Sequence, residues 1–428
     1  MRAAYEARLQ ALERRLAAAQ PPAISATSAS APPPAPSSIA AIPAAHVDPS
    51  TSAGANAFNP ALSLILSGGY TSTTQNPASY SITGFQLPDS APAGPGSRGF
   101  SLAESELGIS ASIDPWLSGS ANISLHADNS VSIEEAFIQT TSLDYGLSVK
   151  AGRFFSGIGY LNSKHAHTWD FVDNPLAYQA LLGTQYGDDG LQLKWLAPID
   201  HYLEVGLELG RGRSFPGTDT SRNGAGMTAL TLHTGGDIGA SHTWRAGLSV
   251  LNTQAESQTL SAIDANGNLV SNLFSGNTRV AVADAVWKWA PNGNASRTSF
   301  KLQGEYVQST SNGQLTYDTA GTNFTDAYSA VQSGWYLQAV YQFLPRWRIG
   351  LRTERLNAGT PDYGLNAAQF SSTGYEPGKD TLMLDFNPSE FSRIRFQLAQ
   401  DRSRQGVVDN QLMLQYQMSL GAHGAHSY

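Results

Sequence analysis

The sequence predicts an all-β fold: a transmembrane antiparallel up-and-down β-barrel of about sixteen strands, preceded by a short α-helical coiled coil. Three observations point there. Apolar and polar residues alternate strictly over stretch after stretch, the period of a strand with two unlike faces. Short turns, often with proline, alternate with long polar connections. Aromatic residues gather near the strand ends, where the interfaces of a membrane would lie.

Composition agrees. The 428 residues include 41 Gly, 17 Tyr, 16 Phe and 8 Trp; only 14% are charged and none is Cys. Low charge with much glycine and aromatic content suits a barrel of short strands better than a helical enzyme. A formal charge of −8 offers no basic stripe for phosphates, which excludes nucleic acid as the expected partner. Without Cys there are no disulfides and no thiolate metal sites. No apolar run approaches the length of a membrane-crossing helix. No secretion-signal pattern leads the chain either, so a cell-surface destination implies a processed N-terminus.

The elements follow in order. In residues 1–20, Tyr5, Leu9, Leu12, Leu16 and Ala19 form a heptad seam, with Arg and Glu on most other faces. That segment reads as a coiled coil too short to hold alone. Residues 21–57, rich in Ala, Pro and Ser and including Pro32, Pro33 and Pro34, read as an extended tether. Residues 58–428 read as the barrel. Leu107, Ile109, Ala111 and Ile113 alternate with Glu106, Gly108, Ser110 and Ser112. Leu203, Val205, Leu207 and Leu209 alternate with Glu204, Gly206, Glu208 and Gly210. The pattern returns at Trp335–Phe343, Trp347–Arg352, Arg393–Leu398 and Leu412–Leu420. It is weaker over 131–141, 146–154, 226–233 and 279–289.

Asp114-Pro115, Ala197-Pro198, Ala290-Pro291, Leu344-Pro345 and Asn387-Pro388 mark the short turns. The long connections are expected at 72–98, 156–188, 211–225, 253–277, 310–331 and 357–379. Tyr70, Phe100, Trp116, Trp195, Tyr202, Trp287, Trp289, Trp335, Phe343 and Trp347 sit near strand ends. A soluble β-sandwich also alternates, but with fewer strands and irregular loop lengths. A barrel this wide is expected to enclose water rather than a packed interior.

The polar face then points into a lumen, where inward charges set ionic preference. The basic candidates are Lys150, Lys194, Arg245, Lys288, Lys301, Arg348, Arg352, Arg393 and Arg395. The acidic ones are Glu106, Glu204, Glu208, Asp284, Glu305 and Glu354. Some of these would instead pair across strands and stabilise the wall. The connection 156–188 carries Lys164, His165, His167, Asp170 and Asp173. Imidazole beside carboxylate suits a divalent cation such as zinc, but two His two residues apart are an incomplete ligand set. A hydrogen-bonded loop packed by Trp169 and Phe171 is the plainer reading. His423 and His426 in the tail lack acidic sequence neighbours. No nucleophile elbow or phosphate-cradling loop is present, so no enzyme is expected and no cofactor beyond such a cation.

The layout of coiled coil, Pro-rich tether and barrel resembles trimeric outer-membrane porins such as the phosphate-selective porin O/P group. The stretches Gly152–Tyr160, Lys164–Asp173 and Ser419–His426 are similar to a family of poorly characterised proteobacterial outer-membrane proteins, some labelled zinc-regulated or TonB-dependent receptors. The resemblance implies a homotrimer in the bacterial outer membrane, in contact with lipid and lipopolysaccharide, with its N-terminal segment in the periplasm. It also implies that 156–188 folds inward as the constriction, with Lys164, Asp170 and Asp173 at the eyelet. The stretch before the first strand leaves no room for a globular plug and shows no TonB box, which favours a diffusive channel. The expected function is passage of small hydrophilic solutes or ions. The alternatives are an anchor reaching the cell wall and a zinc-uptake receptor.

Overall fold

The computed structural model describes residues 60–89, 93–219, 223–370 and 374–421. The expected coiled coil (1–20), the tether (21–57) and His423 and His426 lie outside the described residues.

Sixteen antiparallel strands close on themselves. The first six are β1 (Ala61–Thr73), β2 (Gly99–Leu102 and Ser105–Ser112), β3 (Leu117–Leu125), β4 (Val131–Thr140), β5 (Leu147–Phe155) and β6 (Gly187–Leu196). Next come β7 (Tyr202–Gly210), β8 (Met227–Ile238), β9 (His242–Ile263), β10 (Leu269–Trp289) and β11 (Ser299–Tyr317). The last are β12 (Phe324–Leu344), β13 (Trp347–Asn357), β14 (Gly378–Ser389), β15 (Ser392–Arg402) and β16 (Asp409–Gly421). Both segments of β2 pair with β1 and so form one interrupted strand. β1 also pairs with β16, with Leu64 opposite Leu420 and Tyr70 opposite Leu414, which leaves no free edge.

Alternation gives the wall its two faces. Leu248 and Leu351 are each 61% exposed and Leu230 is 56% exposed on the outside. Such a belt around the whole barrel is stable only against lipid or another apolar surface. Trp116, Trp195, Tyr202, Phe343 and Trp347 are exposed at the short-turn end, as an interfacial girdle would be.

Two expectations are corrected. Residues 253–277 and 310–331 are mostly strand: β9 and β10 run to a turn at 264–268, and β11 and β12 to one at 318–323. Their outward residues turn polar there (Asn252, Gln254, Asn277, Arg279), which hid the strands in the sequence. These strands of 19 to 22 residues outrun the roughly ten needed to cross a bilayer, so their far halves face water.

The second correction concerns the interior, which is not simply water. Inward Met227, Leu251, Val280, Val282, Val307, Tyr336 and Leu356 form one buried apolar cluster with Ile82 and Phe85 from the β1–β2 loop. Ile158, Leu161, Leu176, Tyr178 and Leu182 from the β5–β6 loop complete it. The wet face of β8–β13 therefore carries an apolar patch that the loops cover.

Candidate functional site: the inward loop and the charged lumen

Residues 156–186 leave β5, cross the lumen and re-enter the wall at β6. The base is tied by the Ser156 N–H donating to the Tyr186 carbonyl at 3.0 Å. Asn162 Nδ2 donates to the carbonyls of Ser156 and Tyr186, each at 2.9 Å. Ser156 Oγ and the Gly157 N–H donate to Glu208 at 2.5 and 2.8 Å. Gly159 has φ +64°, and a Cβ there would lie 2.3 Å from Glu305 Oε2, so the position admits only glycine. Glu305 accepts the N–H groups of Tyr160 and Leu161 at 3.0 Å and the Tyr178 hydroxyl at 2.9 Å.

Beyond this point the loop is clamped to β11–β15 by matched charges. Asp170 meets Lys301 at 2.6 Å and Arg348 at 3.4 Å. Asp173 accepts from Lys379 at 2.5 Å and from Arg352 and Gln397 at 2.8 Å. Burial alone would raise the Asp173 carboxyl, but Lys379 and Arg352 outweigh it and hold it well below the usual carboxylate range. Lys301 and Arg348 do the same for buried Asp170. Arg393 and Arg395 donate to the Trp169 carbonyl at 3.1 and 2.6 Å. Phe171 fills the slot above Gly350 between Val340 and Met383. Helix α1 (Leu176–Leu181) is wholly buried; its Leu176 N–H donates to Glu354 at 2.5 Å, and Ala177 lies against Gly334.

On β2–β4 the wall is acidic. His165 Nδ1 lies 3.1 Å from Glu134 Oε2 and 3.4 Å from Glu106 Oε1, while Nε2 lies 3.0 Å from Glu135 Oε2. Asn122 Nδ2 is also 3.0 Å from Nε2. His167 Nδ1 is 2.9 Å from Glu106 Oε2. Burial would depress the His165 imidazole, but Glu134, Glu135 and Glu106 push it up to about 10.

The third face is cationic and open. Arg245, Lys301 and Lys164 surround the Tyr160 ring, their charged centres 5.3, 5.6 and 5.7 Å from its centroid. Lys288 stands near Lys164, Lys301 and Arg245. Lys194, one-third exposed, reaches Glu204 at 3.4 Å. Burial and the neighbouring Arg245 and Lys301 lower the Lys164 pKa. Lys150 lies 4.0 Å over the Phe137 ring, on the wall between this face and the acidic one.

The sequence candidates thus divide by place. Lys150, Lys164, Lys194, Arg245, Lys301, Arg348 and Glu204 keep part of their surface open. Arg352, Arg395, Glu106 and Glu208 point inward but are buried, and each except Arg352 and Arg395 carries a loop group through a carboxylate. Those two arginines reach the loop through Asp173 and the Trp169 carbonyl. Sequence reasoning missed Glu104, Glu134, Glu135, Lys379 and Asp385. For Glu134 and Glu135 a signal existed: two adjacent acids break the alternation of β4. The register shifts between Asn122 and Ile123 opposite them, a β-bulge that turns both carboxylates to one side.

No family model matches the chain. In structure it is similar to an anion-selective porin from Comamonas acidovorans, with a TM-score of 0.50 and 10% identity, covering 84% of this chain and 99% of that one. It is also similar to the outer membrane channel DcaP of Acinetobacter baumannii, with a TM-score of 0.49 and 11% identity, covering 84% and 97%. In sequence it is 31% identical over 350 residues to an uncharacterized protein of Aquifex aeolicus, covering 77% of this chain and 70% of that protein. On a barrel of porin-like fold, the chain therefore belongs to the family of that Aquifex aeolicus protein.

Proposed function

We propose that the chain is a diffusion channel of the bacterial outer membrane that passes small hydrophilic solutes and prefers anions. A closed sixteen-stranded wall with an apolar outside belongs in a membrane, and only barrels and helices satisfy their backbone there. The observation that carries the ionic preference is the unequal lumen. Around Tyr160, Lys164, Lys194, Arg245 and Lys288 outnumber the carboxylates of Glu204 and Asp284, Lys301 being matched by Asp170, and water reaches several of them. The other basic side chains of the lumen are largely consumed by the loop clamp. A solute would pass along the cationic face, beside the loop rather than through it.

Assembly as a homotrimer belongs to the same proposal. The short strands β2–β5 present small outward residues (Ala111, Gly119, Ala121, Ala136, Ala151) that let a second copy approach closely. Mass measurement in detergent tests it: three chains are expected, and a monodisperse monomer removes it.

Planar-bilayer recording tests the channel. Discrete conductance steps are expected, with a reversal potential in asymmetric potassium chloride on the chloride side. Folded protein that inserts but gives no steps would remove the channel reading and favour an anchor. Steps with a cation preference would remove the anion assignment alone.

A further inference from the structure

The β-bulge in β4 places Glu134 and Glu135 on the lumen side together, opposite Asn122 of β3. Glu106 on β2 and Glu104 in its interruption complete a set of four carboxylates, with Glu104 within hydrogen-bonding reach of Glu134. Among the described residues, no lysine or arginine comes within salt-bridge distance of the four. Their neighbours from the loop are His165 and His167 instead. One imidazole nitrogen, His165 Nδ1, faces two carboxylates at once, at 3.1 and 3.4 Å. An N–H can satisfy only one of them well.

We propose that His165 Nδ1, Glu106 and Glu134 bind a divalent first-row transition-metal ion that ties the inward loop to the β2–β4 wall. The nearest ligand atoms of these three residues all lie within 4.8 Å of one another. Ligands about 2.1 Å from a tetrahedral ion stand about 3.4 Å apart, the spacing Nδ1 already keeps from Glu106. The surrounding contacts have the form that metal histidines use. The other ring nitrogen, Nε2, lies 3.0 Å from Glu135, so its proton would point to a carboxylate and leave Nδ1 for the ion. Glu106 is held in turn through its second oxygen by His167 at 2.9 Å. One nitrogen with carboxylate oxygens selects zinc, iron or manganese over the all-oxygen sites that magnesium and calcium prefer. Nothing in this site requires the lumen to conduct.

The test uses the untagged full chain in detergent, in a His423→Ala/His426→Ala background so that the tail cannot contribute. Equilibrium dialysis against zinc chloride, read by elemental analysis, should give one ion per chain that tenfold excess magnesium does not displace. His165→Ala and Glu134→Gln should each weaken binding by at least about tenfold, and Glu135→Gln, which spares every ligand, by on the order of tenfold. Absence of stoichiometric zinc in the parent chain overturns the proposal. So does binding unchanged in all three variants, and displacement by magnesium overturns the nitrogen ligand. The Glu135→Gln variant keeps its size and its place in the strand, so the result stands even if His165→Ala does not fold.

Discussion

The two long walls of the lumen use the same side chains to opposite ends. Along β11–β15, Lys379, Arg352 and Arg348 are spent on Asp173 and Asp170, and the loop that carries those acids is fixed where it crosses. Along β9 and β10, Arg245 and Lys288 stand beside Lys164 with few acids to meet them, while Lys301 on β11 marks the border, already paired with Asp170. Charge type does not separate the two walls. What separates them is whether the loop brings a carboxylate to the cation. Where it does, charge becomes structure; where it brings Tyr160 and Lys164, charge stays available to a passing ion.

The largest effect should come from removing the acid at the centre of the clamp. Asp173→Asn leaves nearly inaccessible Lys379 with only Asp401, 3.9 Å away, and Arg352 with only Glu354, and breaking a buried pair from one side costs about 3–5 kcal/mol. The thermal midpoint should drop, and the conductance should become larger and noisier as the loop detaches. An unchanged midpoint would break the comparison, because the clamp would then hold nothing.

Glu305→Gln should come next. It replaces an acceptor that meets two loop N–H groups and two tyrosine hydroxyls with one of the same size but no charge. Hydrogen bonds to charged groups are worth about 1.5–3 kcal/mol each, and partial retention should leave a loss of about 2 kcal/mol in denaturant titration.

Substitutions on the open wall should move selectivity instead. Arg245→Glu with Lys288→Glu should reverse the ionic preference in asymmetric salt while leaving the thermal midpoint close to the parent's. A unit charge 5 Å away is worth about 3 kcal/mol at an effective dielectric of 20, and pore water screens part of it. A large fall in midpoint without a shift in reversal potential would put these residues in the clamp's class.

The wall was largely legible from period-two alternation. Leu107 to Ile113 and Leu203 to Leu209 show each face plainly, and both became strands in register with their neighbours. The loop's course was less legible, since its contacts join residues more than a hundred positions apart, such as Asp173 with Lys379. Sequence spacing holds no record of such a meeting. A partial trace existed in Val280-Ala281-Val282-Ala283, apolar on both faces where a water-filled lumen would ask for one polar face. That run marks the patch the loop covers. The acidic corner was half legible: His165 and His167 drew attention, but Asp170 and Asp173, their neighbours in sequence, face the other wall. The carboxylates that meet the histidines come from strands.

The smallest effect, and the finest test of the contrast, is its dependence on pH. A depressed carboxylate contributes stability that is full above its unfolded pKa and lost as pH falls through the folded one. Asp170 and Asp173 sit well below the usual range, so the clamp should hold unchanged from pH 7 down to about 5. Lys164 runs the other way. Its folded pKa is lowered by burial and by Arg245 and Lys301, so its charged form costs stability below that pKa, and the cost disappears as the proton leaves. Raising pH from 7 toward 10 should therefore weaken anion preference before an ordinary lysine would titrate, with no loss of stability from Lys164 itself. Reversal potentials measured at several alkaline pH values check it. In Lys164→Gln the preference should start lower and change less over the same range. If that variant keeps the parent's pH profile, Lys164 is not among the charges a permeating ion feels.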